Sequence, residues 1–371
     1  MLRILITGMT ENPGGIEAYI MNIYRNVDHS KLQFDFIVNS NCKIAYNEEI
    51  SAYGGQIFRL HGRRENPLLH LLDYYLFFKN HSQRYNGIYV NALSLANIDA
   101  IKLAYKFNIK KRILHAHNNA DIGASYLGIR TLLHKCHRYS IKKYATHLFA
   151  CSNAAGKWMF GKKAKYAIIN NAIDTKNYRY NSCLRSKLRK KLNISSHTFV
   201  IGTVGRLEPQ KNPLFLIDIF YQIKKTKADS LCLHIGDGTL KHDMEERIKH
   251  YQIQNDYRLL GSKPDTSDYY QIFDAFIFPS LFEGLGISLI EAQACDLPCF
   301  ISDTIPQEAI LLKENVHCFS LQADSITWAN GILANTLKSP KDRIDVSDKI
   351  CVAGFDIMTE VKKIEKVLYD D

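Results

Sequence analysis

The sequence predicts an α/β protein with two doubly wound, largely parallel sheets in separate domains. Three observations carry that expectation. The chain has 371 residues, too many for one typical domain and suited to two of roughly 150–200 residues. Short apolar, β-branched runs alternate with longer amphipathic stretches, the pattern of buried parallel strands covered by helices. The alternation breaks in a polar, turn-rich segment and then restarts.

In the first half, strands are expected at LRILITG, FDFIVN, QIFRL, GIYVN, KRILHAH and HLFACS. Amphipathic stretches at residues 15–27, 68–81, 95–107 and 130–144 separate them. The second half repeats the pattern with TFVIGTVGRL, SLCLHIGDG, YRLLGS, AFIFPS and PCFIS. Between the halves, NNAIDTKNYRYNSCLRSKLRKKLNISS reads as a linker followed by one short helix. The expected organisation is a first domain over 1–172, a linker with its helix over 173–196 and a second domain over 197–354. A C-terminal helix over 355–371 is expected to cross back to the first domain.

An apolar content of 46% with 23% charged residues excludes a disordered chain. No apolar run reaches the length of a membrane span; NPLLHLLDYYLFFKNH is interrupted by His70 and Asp73. MLRILITG runs into polar sequence and reads as a first strand rather than a signal peptide, so a cytoplasmic protein is expected. The nine cysteines have no close pairing, and Cys295 with Cys299 fits no zinc spacing; reduced thiols are expected.

The net charge of +11 is confined to one half. Residues 1–170 hold 23 Lys and Arg against 10 Asp and Glu, and the remainder holds 25 against 27. From Lys102 to Lys165 there are fourteen basic residues and one acid, Asp121. YLGIRTLLHKCHRYSIKKYATH interleaves Leu, Ile and Tyr with Arg130, Lys135, Arg138, Lys142 and Lys143. That pattern suits an anionic membrane surface, reached through residues 102–165; a solvated face over a core helix is the alternative. No nucleic-acid-binding motif accompanies the charge, so a nucleic-acid partner is not expected.

In doubly wound sheets, ligands bind at the carboxyl ends of the strands. After the first strand, TGMTENPGG places Gly14 and Gly15 before a helix, an anion site at a helix N-terminus or a plain turn. After the first strand of the second half, GRLEPQKNP sets Arg206 and Lys211 five residues apart beside a helix start. A forked guanidinium and a point-charge ammonium there can hold a diphosphate, or can be solvated surface cations. In HIGDGTL, Gly236 and Gly238 permit close backbone approach, and Asp237 can cap the next helix. In SLFEGLGISLIEA, Glu283 sits in a glycine loop after a strand and Glu291 in the helix that follows. If that helix N-terminus takes a phosphate, flanking carboxylates suit vicinal diols, as on either side of a nucleotide-sugar diphosphate. A helix-dipole acid plus an exposed helix glutamate is the plainer reading.

These words, in this order, resemble the retaining glycosyltransferases of family 4. FEGLGISLIEA is similar to that family's glutamate, seven residues, glutamate element, GRLEPQKN to its Gly-Arg-Leu…Lys stretch, and NPGGIEAYIMNIY to its N-terminal glycine loop and helix. HAHNN, CSNAA and INNAID lie where members carry similar words. The likeness runs from Leu2 to about Asp303, closest in flavour to bacterial capsule and exopolysaccharide enzymes. It implies the GT-B fold, two Rossmann-like domains facing across a cleft, the first on the acceptor side and the second binding the donor.

By the same resemblance, Arg206 and Lys211 would hold the donor diphosphate, Glu283 would contact the transferred sugar and Glu291 the ribose. The amides of Gly284, Leu285 and Gly286 would complete the phosphate and sugar site, with Gly236 in the same donor pocket. Gly15 would approach the donor from the first domain, with His117 near the sugar and Ser152 and Asn171 near the floor. Asn171-Ala172 departs from the family's usual Asn-Gly. His115 and His117 alternate as a metal pair might, but without a carboxylate partner nearby in sequence. No Asp-x-Asp occurs, so no metal and no cofactor is expected. The implied reaction moves a hexose or N-acetylhexosamine from a nucleoside-diphosphate sugar, UDP-linked, to a hydroxyl of a saccharide or lipid-linked saccharide acceptor. It retains configuration, at the inner face of the cell membrane. A nucleotide-sugar epimerase of the same fold, or a catalytically silent membrane-associated subunit, are the other readings.

Overall fold

The computed structural model describes residues 1–11, 14–40, 42–63, 65–118, 128–336 and 342–370. The chain forms two compact units, one of Met1–Ala172 with Ile357–Asp371 and the other of Ile173–Asp356.

The first unit opens with β1 (Leu2–Thr7), α1 (Gly15–Asn26), β2 (Leu32–Val38), α2 (Asn47–Ala52), β3 (Ile57–Arg59) and α3 (Pro67–His81). It continues with β4 (Gly87–Ala92), α4 (Asp99–Lys106), β5 (Lys111–Ala116), α5 (Ile129–Tyr144), β6 (His147–Ala150), α6 (Asn153–Phe160) and β7 (Ala167–Ile168). The second unit holds α7 (Thr175–Tyr178), α8 (Ser182–Lys191), β8 (Phe199–Val204), α9 (Pro213–Thr226), β9 (Ser230–Ile235), α10 (Lys241–His250) and β10 (Tyr257–Leu259). It is completed by α11 (Ser267–Ile272), β11 (Ala275–Phe278), α12 (Ile287–Ala294), β12 (Cys299–Ser302), β13 (Val316–Phe319), α13 (Ser325–Asn335) and α14 (Ser347–Val352). The last helix, α15 (Ile357–Tyr369), belongs to the first unit.

Both sheets are parallel and doubly wound. The first has strand order β3-β2-β1-β4-β5-β6-β7 and the second β10-β9-β8-β11-β12-β13. Chain order reverses between β1 and β4 and again between β8 and β11, the two points where such sheets open a crevice. The expected apolar runs are strands buried on both faces. In β1 and β4, Ile4, Ile6 and Tyr89 join one apolar cluster while Leu5, Ile88 and Val90 join the other. The first cluster is closed by α1 and α15, and the second by α3, α4, α5 and α6. Trp328 of α13 and Phe220 of α9 anchor one face of the second sheet, and Leu289 and Ile290 of α12 the other.

The structure adds elements that apolar periodicity did not signal. β7 has two residues and β13 is half exposed, so neither produces a buried run. α6 is a short helix capped by Ser152, whose Oγ accepts from Ala155 N at 3.1 Å. The segment 173–196, expected as a linker with one helix, folds as α7 and α8 and belongs wholly to the second unit. Its basic character misleads because two of its cations are buried. Arg185 and Arg189 lie 2.5 and 2.7 Å from opposite oxygens of Asp274 and also donate to the carbonyls of Phe273 and Ile272. Asp274 accepts a third bond from Val200 N at 2.7 Å, so one carboxylate ties α8 to the edges of β8 and β11.

Removing that carboxylate strands two buried guanidiniums. Asp274→Ala should cost about 3–5 kcal/mol of unfolding free energy, as for breaking other buried ion pairs, whereas the exposed Asp268→Ala should stay within about 0.5 kcal/mol of wild type. Urea denaturation followed by circular dichroism measures both; equal small losses would show that the arginines are satisfied by carbonyls alone.

Candidate functional site

In the second unit, three loops leave the carboxyl ends of β8, β9 and β11 and are fastened to one another. Gly205 N donates to Ile235 O, Leu207 N to Asp237 O and Leu240 N to Leu207 O. The approach is close enough to require glycine. Gly236 has φ +151°, and a Cβ there would lie 1.9 Å from Gly205 O; one on Gly238 would lie 2.6 Å from Leu207 O. Asp237 does not cap α10, as its position suggested; its Oδ1 accepts from Gly238 N at 2.8 Å within its own turn. Thr239 instead gives its N–H and hydroxyl to Glu208, two bonds that hold the Glu208 carboxyl below its usual range.

The β8 and β11 loops are joined as firmly. Leu281 N donates to Gln210 O at 2.8 Å, and Gln210 Nε2 to Phe282 O at 3.0 Å. Lys211 Nζ lies 2.6 Å from Glu283 Oε1, with 17% and 6% of the two side chains exposed, and 4.8 Å from the Phe278 ring centre. Lys211 is therefore half of a largely buried ion pair rather than a solvated surface cation. Arg206 is exposed, its guanidinium 3.3 Å from Gln210 Oε1.

Beyond Glu283 the chain turns through Gly284, Leu285 and Gly286 into α12. Leu285 is buried in the core and fixes the loop. A Cβ on Gly284 would meet nothing within 4 Å, whereas Gly286 has φ +87° and stands as the N-cap of α12 without a side-chain cap bond. Glu291, one turn further on, is not the exposed helix glutamate of the plainer reading. Its two oxygens accept from Tyr178 at 2.9 Å and Tyr270 at 2.6 Å. Burial pushes its pKa up to about 7 despite those two bonds, and the nearby Asp265 adds to the rise. Neither tyrosine was foreseen. Tyr178 precedes Glu291 by 113 residues, and no local spacing reports such a pair.

In the first unit, Gly15 starts α1, with the Gly14 N–H directed to Glu17 Oε2 at 3.1 Å. Thr10 donates to the other Glu17 oxygen at 2.5 Å. This first turn already carries a buried carboxylate, which weighs against the simple anion-site reading of Gly14-Gly15. Asn12 and Pro13 of the same motif, and Asp121, lie outside the described residues. One turn along α1, the Tyr19 ring packs edge-on to His117 at 4.8 Å.

His117 follows β5 and pairs through Nε2 with Asn91 Oδ1 at 2.9 Å, while Asn91 Nδ2 donates to Thr7 O. That bond fixes the Asn91 orientation and assigns the proton to Nε2, leaving Nδ1 as an acceptor. Burial lowers the His117 pKa to about 3, with a smaller opposing pull from the Asn171 side chain, so the ring is neutral at physiological pH. Among the described residues, neither His117 Nδ1 nor Asn171 Oδ1 has a hydrogen-bond partner of acceptable geometry. Each of these buried acceptors suits one hydroxyl donor. His115 is turned to Tyr89, 2.8 Å from its hydroxyl, and Tyr89 meets Tyr19 at 2.7 Å. No group of three metal-ligating side chains occurs among the described residues.

The structure thus gathers Arg206, Lys211, Gly236, Glu283, Gly284, Leu285, Gly286 and Glu291 at one edge of the second sheet. Gly15, His117 and Asn171 gather at the corresponding edge of the first. Residues 185–350 match the family model for glycosyl transferases group 1. The chain is similar to EpsF of Bacillus subtilis, 30% identical over 368 residues, 96% of this chain and 93% of that protein. It is 27% identical over 311 residues to the UDP-Gal:alpha-D-GlcNAc-diphosphoundecaprenol alpha-1,3-galactosyltransferase of Escherichia coli, spanning 72% of this chain and 78% of that one. The crystal structure of Anabaena HepE in complex with UDP-glucose superposes with a TM-score of 0.76 at 18% identity, over 99% of both chains.

The raised Glu291 pKa has a measurable consequence for stability. The folded chain keeps a proton that the unfolded chain loses near 4.5, so stability falls as pH rises from about 4.5 to 7. Glu291→Gln cannot ionise and avoids that loss. Its melting temperature should match wild type near pH 4.5 and exceed it by a few degrees at pH 8; an offset independent of pH would contradict the assignment.

Proposed function

This chain belongs to the glycosyl transferases of group 1, with the two parallel-sheet Rossmann-like units of the GT-B fold, and from that premise we propose a retaining, family-4 type transfer. A hexose or N-acetylhexosamine moves from a UDP-sugar to a hydroxyl of a growing, lipid-linked capsular or exopolysaccharide acceptor. The Escherichia coli relative is named for a UDP-sugar donor and a diphosphoundecaprenol-linked acceptor, and HepE was crystallised with UDP-glucose; both support this choice of substrates.

The Lys211–Glu283 pair is the observation that carries the reading. A diphosphate arriving at Lys211 and Arg206 offers the ammonium a stronger anion than its resident carboxylate. Glu283 is then released to accept hydrogen bonds from the transferred sugar. The open space at Gly284 and the N-terminus of α12 lie beside the same pair and favour the phosphates. Each oxygen of Glu291 retains a lone pair beyond its tyrosine bond, and these accept from the ribose diol. In the first unit, His117 Nδ1 and Asn171 Oδ1 each accept from a separate sugar hydroxyl.

In the reaction, the bond from the anomeric carbon to the diphosphate oxygen breaks. A bond to the acceptor oxygen forms on the same face, and the acceptor proton leaves with the diphosphate. Charge grows on the diphosphate in the transition state, where preorganised cations act most strongly. Fixed cations fill the role a divalent ion would otherwise have, so the transfer is metal-independent.

Lys211→Gln keeps a hydrogen-bonding end for Glu283 but loses the charge. It should lower kcat/KM by on the order of 10²–10³ and also lower the melting temperature, because the Glu283 carboxylate is left buried without its cation; Arg206→Lys should be impaired through loss of the forked donor. Wild-type initial rates should persist in excess EDTA; abolition by EDTA with recovery on adding Mg²⁺ or Mn²⁺ would overturn the assignment of the cations. Glu291→Ala should chiefly raise KM for the donor, because ribose contacts are the same in ground and transition states. Glu283→Ala should chiefly lower kcat. Steady-state kinetics with donor calorimetry separates the two, and identical effects on both parameters would remove the division of roles.

A further inference from the structure

The first unit exposes apolar side chains along two of its helices. On α3, the outward positions are Leu68, Leu71, Leu72, Tyr75 and Leu76, and Leu68 is 80% exposed. On α5, Ile129, Leu132 and Tyr139 form a second outward row, with Tyr139 88% exposed. The inward faces of the same helices are well packed: Tyr74, Phe77 and Phe78 of α3 and Ile141 of α5 lie in one apolar cluster. These outward rows are therefore not core residues short of a partner within their own cluster.

Between the two rows runs α4, whose Ala100, Ile101 and Ala104 enter that cluster. Its outward face is basic. Lys106 lies 4.8 Å from the Tyr75 ring centre, and Lys102 Nζ is 3.3 Å from His137 Nε2 of α5. Arg130, Lys135, Lys142 and Lys143 are exposed along α5, and Lys157, Lys162, Lys163 and Lys165 in and after α6. Among the described residues no helix is long and apolar enough to cross a membrane. Two apolar rows lined by cations are the composition of a surface that lies in a bilayer interface rather than spanning it. A protein partner would have to be both apolar and acidic at once; an anionic bilayer is both by construction.

We propose that α3, α4 and α5 together form a docking face for an anionic phospholipid bilayer. The leucine row of α3 and the apolar row of α5 enter the acyl boundary while the lysines and arginines of α4 and α5 meet the headgroups. This deepens the lipid-linked acceptor reading above, but the binding it describes does not depend on that reading. α3 supplies the anchor that the charge count, which pointed to residues 102–165, could not show.

The test uses the full chain and sedimentation with vesicles of phosphatidylglycerol and phosphatidylcholine or of phosphatidylcholine alone. The protein should bind the anionic vesicles, and binding should weaken with salt. Two variants separate the contributions. The triple change Leu68→Gln, Leu72→Gln and Leu76→Gln removes only outward side chains, and Lys142→Gln with Lys143→Gln removes two headgroup contacts. Each should lower vesicle affinity by on the order of tenfold or more, with melting temperature unchanged. Wild-type vesicle binding by the leucine variant, or equal binding to both vesicle types, overturns the proposal. So does a concentration-dependent dimer in light scattering that the leucine changes abolish, since a second copy would then be the occupant. Loss of vesicle binding with full transfer to a water-soluble acceptor supports docking, whereas vesicle binding by a chain with no transferase activity refutes only the function.

Discussion

A lysine ammonium held 2.6 Å from a glutamate carboxylate, with little water around either, sets the terms for the second unit. Two charges in so dry a place are tolerated only as a pair, because either one alone would be costly to desolvate. The two residues lie on loops 72 positions apart in sequence, so the pair fixes the β8 loop against the β11 loop. Gln210 fastens the same two loops through the backbone of Leu281 and Phe282. On the other side, the glycines of the β9 loop let its backbone lie against Gly205 and Leu207. In the proposed transfer, an anion that outcompetes Glu283 for Lys211 leaves Glu283 free to bind the sugar.

Parallel winding makes such an arrangement available. Every strand of a parallel sheet ends at the same edge, so loops distant in sequence become neighbours without special contacts. The first unit uses the principle differently. There the carboxyl edge gathers, beside the buried Glu17 carboxylate, several neutral groups: a histidine kept uncharged by burial, two asparagines and paired tyrosine hydroxyls.

The parallel architecture was legible in the sequence because strands buried on both faces leave continuous apolar runs such as FDFIVN and AFIFPS, which no other local structure of that length explains as well. The glycine loops were legible for a related reason, since Gly236 and Gly286 mark backbone positions that other residues adopt poorly. Elements held by tertiary contacts left no such trace. The segment 173–196 looked like a solvated linker because two of its arginines, read one at a time, are indistinguishable from surface cations. Only the position of Asp274 makes them core residues.

By itself, the sequence determined the fold class and the order of the loops after the strands, both of which follow from periodicity and glycine placement. It offered Arg206, Lys211, Glu283 and Glu291 as candidates, which the resemblance to family 4, rather than local pattern, singled out. The tertiary structure decided the states of those residues. It closed Lys211 onto Glu283, set two tyrosines on Glu291 and raised its pKa to about 7, and left His117 neutral with one nitrogen that has no partner among the described residues. It also turned the leucines of α3 outward beside a row of cations. Burial and through-space pairing depend on residues far apart in the chain, and local pattern carries no record of what will be brought beside a charge or removed from water.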